Sequence, residues 1–191
     1  MILDIFSQCV VGWLIADRED SQLARDLILS SSLVKQEIEP GRLTLHADRG
    51  PSMISAPVAA LLVERGVDRS HNRPYTSSDN PFSEAQFKTL KYHCSYPDRF
   101  GSLEHARSYF SAFFPWYNTE HRHSSLALLT PADVHYGRAS KILERRQQVL
   151  EGAFAGKSRR FKGQRPEAGA VPEGAWINPP KIGTAEADGD A

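Results

Sequence analysis

Leu43-Thr44-Leu45-His46-Ala47-Asp48-Arg49-Gly50 alternates apolar and polar side chains and ends on an aspartate just before Gly50-Pro51. That pattern reads as a short strand stopped by a turn. A second run, Asp79-Asn80-Pro81-Phe82-Ser83-Glu84-Ala85-Gln86-Phe87-Lys88-Thr89-Leu90-Lys91, follows at a distance of thirty-five residues between Asp48 and Glu84. Here Asn80 suits a helix cap, and Pro81 suits the first helical position, where a missing N–H is no loss. An aspartate at a strand end and a glutamate in a first helical turn can meet across a small α/β fold. Two such carboxylates suit a hard divalent cation, which prefers oxygen ligands. Each also has a plainer reading. Asp-Arg-Gly is an ordinary turn, and Glu84 is favoured at a helix N-terminus by the dipole. A Glu84–Lys88 pair at i,i+4 would be worth only about 0.3–0.5 kcal/mol.

Working outward, Leu43–Ala47 is a strand and Ser52–Arg65 a helix carrying Val58, Leu61 and Leu62, with Gly66 as its stop. Val67–Asn72 is a short strand, and Arg73–Asn80 a polar loop rich in turn formers. Upstream, Ile2–Phe6 and Cys9–Ala16 form a hairpin about Ser7-Gln8, and Asp17–Ile38 is a helix capped by Asp20 or Ser21. Leu23, Leu27 and Val34 supply part of its apolar face. Downstream, Leu103–Glu120 is amphipathic, with Ala106, Phe110, Phe113, Phe114 and Tyr117 on the core side. Thr130-Pro131-Ala132-Asp133 is a capping box opening a helix that runs through Arg146 to about Gly152. The expected organisation is a core over 1–150, a basic linker over 151–165 and a disordered acidic tail over 166–191.

His46-Ala47-Asp48-Arg49-Gly50, the Asp79–Glu84 and Phe87–Lys91 runs, Trp116-Tyr117-Asn118-Thr119-Glu120-His121-Arg122-His123 and Thr130–Asp133 together resemble bacterial insertion-sequence transposases. More broadly they resemble the catalytic core shared with retroviral integrases. The resemblance covers roughly residues 1–150. It implies a ribonuclease-H-like α/β fold and a catalytic set of Asp, Asp and Glu that holds magnesium or manganese. Two ions near 4 Å apart activate the attacking oxygen and stabilise the leaving one. By the resemblance Asp48 is the second acid and Glu84 the third. The first belongs to a central strand placed before the hairpin. Asp4 matches a position ahead of the hairpin serine, a turn residue and not that ligand. The expectation is therefore an N-terminally truncated core, inactive alone and of marginal stability, belonging to a DNA-cutting and DNA-joining enzyme. The alternative is a non-catalytic remnant that binds DNA or a full-length transposase and interferes with it. A homo-oligomer is implied by the resemblance alone.

Glu84, Lys88 and Lys91 fall on one helical stripe at i, i+4 and i+7, and Phe87, Leu90 and Cys94 on another. The first stripe fits a helix laid along DNA; retroviral integrases have a similar Glu-Lys-Lys spacing. Arg73 is a further phosphate candidate. Between Arg138 and Arg165, nine Lys/Arg residues, Arg145 and Arg146 among them, face only Glu144 and Glu151. That is a DNA-backbone candidate or a solvated helix. His121 and His123 invite zinc, but no cysteine pair accompanies them.

The bulk numbers exclude little. The 23 basic and 23 acidic residues cancel, so nucleic-acid binding has to come from local patches. Cys9 and Cys94 are distant and read as reduced thiols. No apolar run is long enough for a membrane span, and the first residues lack a signal-peptide pattern, so a cytoplasmic location is expected; the resemblance implies a bacterial, nucleoid-associated protein.

Overall fold

A computed structural model describes residues 1–31, 39–74, 76 and 79–178. The chain is α/β, with helices dominating and strands confined to two small sheets. β1 (Ile2–Leu3) and β2 (Val10–Gly12) pair antiparallel. Asp4 shapes their turn: its Oδ1 accepts the backbone N–H groups of Phe6 at 2.9 Å and Ser7 at 3.2 Å. Its Oδ2 lies 2.9 Å from His135 Nδ1, so Asp4 is a hairpin residue tied to a distant helix. The turn is wider than the expected Ser7-Gln8 pair, and Gln8 takes a left-handed φ of 60°.

α1 (Ser21–Ser30) is capped by Asp20, whose carboxylate accepts from Gln22 and Leu23 N–H. It stops well short of Ile38. Ser30 and Ser31 turn their hydroxyls back onto the carbonyls of Leu27 (3.1 Å) and Ile28 (2.6 Å), competing with the helical ladder. Residues 32–38, including Val34, lie outside the described residues. β3 (Thr44–Ala47) and β4 (Asp68–His71) pair parallel, in register from Thr44↔Asp68 to Ala47↔His71, joined by α2 (Ala56–Glu64). This is a compact β–α–β unit. Gly66 at φ +64° ends α2 as expected; Pro40 atoms lie within 3.2 Å of where its Cβ would stand, so a side chain there would crowd Pro40 in an already strained backbone conformation.

α3 (Pro81–Lys91) begins with Pro81, but Asn80 makes no side-chain capping bond. Its buried residues are Gln86 and Leu90, whereas Phe87 is 48 % exposed and Cys94 lies exposed beyond the helix end. The expected inward stripe of Phe87, Leu90 and Cys94 therefore holds only for Leu90. α4 (Leu103–Thr119) buries Ala106, Phe110, Phe113, Phe114 and Tyr117, the face expected from its spacing. The capping box at Thr130 and Asp133 is formed, but it opens only the short α5 (Pro131–His135). Gly137 at φ +69° breaks the run, and α6 (Ala139–Lys157) starts afresh after Arg138. α6 then continues through the stretch expected as a linker, followed by a 3-10 turn at Ser158–Phe161.

The core has three parts. Val10, Leu90 and the α4 aromatics form one, with Leu3 packed against it. Ile28, Val58, Leu61 and Leu62 form another, with Ile2 and Leu45 packed against it. Leu126, Leu129 and Val134 form the third, joined by Val171. Residues 166–178 carry no helix or strand, and the first of them bond back to α6. Gln147 donates to the Pro166 carbonyl at 3.3 Å and accepts from Ala168 N–H at 3.0 Å.

Candidate active site

The two candidate carboxylates close different elements. Asp48 follows β3, and its Oδ1 accepts Gly50 N–H at 3.1 Å, the turn its Asp-Arg-Gly sequence favours. The Asp48 carbonyl accepts from His71 Nδ1 at 3.0 Å, and Arg49 Nε donates to the Asn72 carbonyl at 3.1 Å. Both bonds hold the end of β3 against the end of β4. Glu84 sits in the first turn of α3, its N–H bonded to the Asn80 carbonyl at 3.2 Å. Both carboxylates are exposed, and neither joins an ion pair among the described residues.

His46 connects the strand end to the helix start. Its Nε2 lies 2.7 Å from Asn72 Oδ1 and 3.1 Å from the Asp79 carbonyl, and its Nδ1 lies 2.8 Å from Ser70 Oγ. A carbonyl only accepts, so Nε2 carries a proton, and Nδ1 shares a hydrogen bond with the Ser70 hydroxyl. One ring thus joins β3, β4 and the residue two places ahead of α3.

Asp79 is 1 % exposed and fixes the approach to α3. Its carboxylate accepts from Arg73 Nε (3.0 Å), Arg73 Nη2 (2.7 Å), Arg73 N–H (2.8 Å) and Asn178 Nδ2 (3.0 Å). The Arg73 side chain, then its backbone, then Asn178 hold the Asp79 carboxyl well below the usual carboxylate range. In return Asp79 raises the Arg73 guanidinium. Arg73, expected to meet phosphate, has its guanidinium engaged as a loop clamp.

A cavity of about 600 Å³ opens beside this junction, with Asp48, Asn80, Ser83 and Phe87 in its wall. Glu84, next to Ser83, is not in that wall. The structure therefore brings the end of β3 and the first turn of α3 to one opening, without placing both carboxylates on one surface of it. Oxygen donors at Asp48 and Glu84 suit a hard cation. Asn80, whose side chain makes no capping bond to α3, lies at the same place. Among the described residues no group of three or more His, Cys, Asp or Glu side chains is placed to hold a metal.

Lys88 and Lys91 are exposed in the last turn of α3, on the same stripe as Glu84. Arg145 is exposed on α6. Arg146 instead donates to the carbonyls of Ala127 (2.6 Å) and Leu128 (3.0 Å), two residues with left-handed φ values of 52° and 57°. It pins a tight turn to α6. His121 and His123 belong to the aromatic core. Their rings meet edge to face at 5.1 Å, and the Tyr117 hydroxyl lies 2.8 Å from His123 Nε2. Burial lowers the pKa of each, with His93 adding to the effect at His121 and His121 to that at His123. Asn118, expected to fix a helix junction, grips a strand: it accepts Val10 N–H and donates to the Val10 carbonyl, both at 2.9 Å.

His46, Asp79 and Asn178 had no assigned role in the sequence reading. The first two lie inside the motif-bearing runs, and their value comes from contacts with Ser70, Asn72 and Arg73 that spacing does not reveal. For Asn178 the sequence gives no signal.

Residues 65–131 match the family model described as integrase core domain. The chain is 31 % identical over 132 residues to the transposase for insertion sequence element IS904 of Lactococcus lactis subsp. lactis (strain IL1403), covering 69 % of this chain and 51 % of that one. It is also 31 % identical over 132 residues to transposase InsF for insertion sequence IS3A of Escherichia coli (strain K12), covering 69 % of this chain and 45 % of the relative. The chain spans about half the length of the curated relatives it matches. No helix among the described residues is long and apolar enough to cross a membrane.

Proposed function

We propose, from the premise that this chain carries integrase-core sequence of the insertion-sequence transposase kind, that it is part of a DNA strand transferase. In this reading the core is ribonuclease-H-like. Asp48 and Glu84 hold magnesium or manganese, and Lys88 and Lys91 lie along the DNA backbone. The observation that carries it is the His46 junction, which fixes the residue after β3 and the first turn of α3 to one opening. A bound divalent ion supplies a lowered pKa at the attacking oxygen and neutralises charge on the leaving one. The protein's part is to orient. Asp48 is steadied by Gly50 N–H, Glu84 by the helix start, and Lys88 and Lys91 present ammonium groups to phosphate on the same exposed row.

The test is Mn²⁺ titration of the purified chain, followed by water-proton relaxation, with Asp48→Asn and Glu84→Gln beside the native sequence. Each variant is expected to weaken Mn²⁺ affinity at least tenfold. Unchanged affinity in both refutes the metal assignment. In the companion assay, joining of a labelled element end is measured in a mixture with a full-length relative.

A second reading, binding without chemistry, is favoured by the two carboxylates lacking a third metal-capable partner among the described residues. It keeps Lys88, Lys91 and Arg145 as phosphate contacts. It expects salt-sensitive duplex binding that survives Asp48→Asn and Glu84→Gln, with no joining in the mixture.

A further inference from the structure

The segment 166–178 runs from α6 to the approach to α3 without joining a helix or a sheet. Its first anchor is α6, where Gln147 bonds Pro166 and Ala168. Gly169, at φ +82°, then passes the turn at Ala127 so closely that an added Cβ would stand 3.1 Å from the Ala127 Cβ. Val171 packs against the cluster of Leu126, Leu129 and Val134. Ile177 enters the cavity wall that also holds Asn80 and Ser83. Asn178 sits on the Arg73–Asp79 pair. Its Nδ2 donates to Asp79 Oδ1 at 3.0 Å, and its Oδ1 accepts from Arg73 Nη2 at 3.3 Å.

Between these anchors little holds it. Among the described residues its hydrogen bonds to the rest of the fold are those at Pro166, Ala168 and Asn178. Trp176 is 63 % exposed, and its Nε1 lies over Gly174 of the same segment. Segments with few buried apolar contacts and exposed backbone open far below the global unfolding free energy. This one can lift away with only Val171 leaving a core cluster.

Its chemistry suits the ground it covers. Residues 166–178 contain Glu167 and Glu173 and no lysine or arginine. Pro166 and Pro172 favour extended backbone. An extended anionic chain is also what a nucleic-acid strand presents, and the Arg73 guanidinium that this segment reaches is the kind of group that binds phosphate. Asn178 covers the pair without adding charge, since a carboxamide gives a donor to the carboxylate and an acceptor to the guanidinium. Its own φ of 57° is left-handed, which asparagine tolerates better than most residues.

We propose that residues 166–178 form an autoinhibitory strap. Closed, it covers Arg73 and the approach to α3. A DNA backbone arriving along Lys88 and Lys91 displaces it, and a phosphate oxygen takes the place of Asn178 Oδ1 on Arg73 Nη2 while the Arg73–Asp79 pair stays. This inference rests on the DNA-backbone reading of α3. Observed DNA affinity is then the intrinsic affinity scaled by the fraction of molecules with the strap open, so whatever opens it raises affinity. A purely structural tie would not.

The probe is a fluorescein-labelled blunt DNA duplex of arbitrary sequence, titrated at low salt and followed by anisotropy. Two variants open the strap at distant points. Asn178→Ala removes its contact with Arg73 and Asp79, and Gly169→Val forces a branched side chain into a left-handed backbone beside Ala127. A urea melt checks that both fold. Each is expected to raise duplex affinity at least threefold. Adding Arg73→Lys to Asn178→Ala is expected to remove the gain, because an ammonium held by Asp79 lacks the second arm of the guanidinium fork. On the native chain, duplex is expected to speed amide exchange at Ala168, whose N–H is bonded to Gln147 in the closed strap. Equal or weaker binding by both variants, with Ala168 exchange unchanged by duplex, overturns the strap and leaves the DNA reading standing. No duplex binding by any of these proteins overturns both. Should Gly169→Val fail to fold, Asn178→Ala and the exchange measurement decide.

Discussion

Replacing His46 with Phe removes the ring nitrogens and keeps the ring's bulk. Three close contacts disappear: Ser70 Oγ at 2.8 Å, Asn72 Oδ1 at 2.7 Å and the Asp79 carbonyl at 3.1 Å. Each of the two ring nitrogens is worth about 0.5–1.5 kcal/mol net, and a buried carbonyl left without a donor costs about 1–3 kcal/mol. Asp79 is nearly inaccessible, so water replaces the lost donor poorly. The sum is about 2–6 kcal/mol, against a total stability of about 5–15 kcal/mol for an ordinary domain. At about 1–3 kcal/mol per molar urea, the unfolding midpoint drops by roughly 1 M or more. Ser70→Ala, which removes only the Nδ1 partner, should lower it by less than half as much. The local signature is more specific than the midpoint. With the tie to Asp79 gone, amide exchange at Ser83, Glu84 and Ala85 should accelerate, and Mn²⁺ affinity should fall although no proposed ligand has changed. A midpoint within about 0.3 M of the native value, together with unchanged exchange at the start of α3, would refute the reasoning that His46 sets the junction.

Asn118→Ala strips Val10 of both its donor and its acceptor partner, so it should destabilise the chain by about 2–4 kcal/mol. Asn118→Asp, which keeps only the acceptor, should fall between in a urea melt. His123 is half-buried and lies hydrogen-bonded to the Tyr117 hydroxyl, and its partial burial lowers its pKa below 6.5. The unfolded chain therefore takes up its proton first. The contribution of His123 is fully present above pH 6.5 and declines as pH falls through 6.5 towards the lower folded value. His123→Gln, which keeps an acceptor for Tyr117, should flatten the stability profile as pH falls below 6.5 in paired thermal melts; an unaltered slope there would assign the dependence elsewhere.

What the sequence disclosed was whatever local chemistry decides. The apolar face of α4, the stop at Gly66, the cap at Asp20 and the box at Thr130 each depend on residues within a few positions of one another. Misjudged features had competitors that lie farther away or act more subtly. The serines after Leu29 draw the backbone out of the helix through their own hydroxyls. Gly137 divides a long helical pattern because its positive φ suits a break, whereas composition alone allows continuation. Phe87 has helical spacing for the core but faces the cavity instead. In the candidate site, the two acids were legible because their sequence surroundings are distinctive. The Arg73–Asp79 clamp was not, since an arginine in a polar loop reads equally well as a phosphate contact until its partner is placed.

The carboxamide of Asn118 has a consequence for how copies of this molecule meet. A two-stranded ribbon bare on both sides invites addition from either flank, and repeated addition builds fibres. At Val10 the asparagine offers the same donor and acceptor that an incoming peptide would, so that margin of the hairpin is already sealed. On the Val10 side the hairpin is thus finished by its own chain. Growth by strand addition is blocked at that margin, because the Val10 groups an incoming edge would need are already paired within the chain.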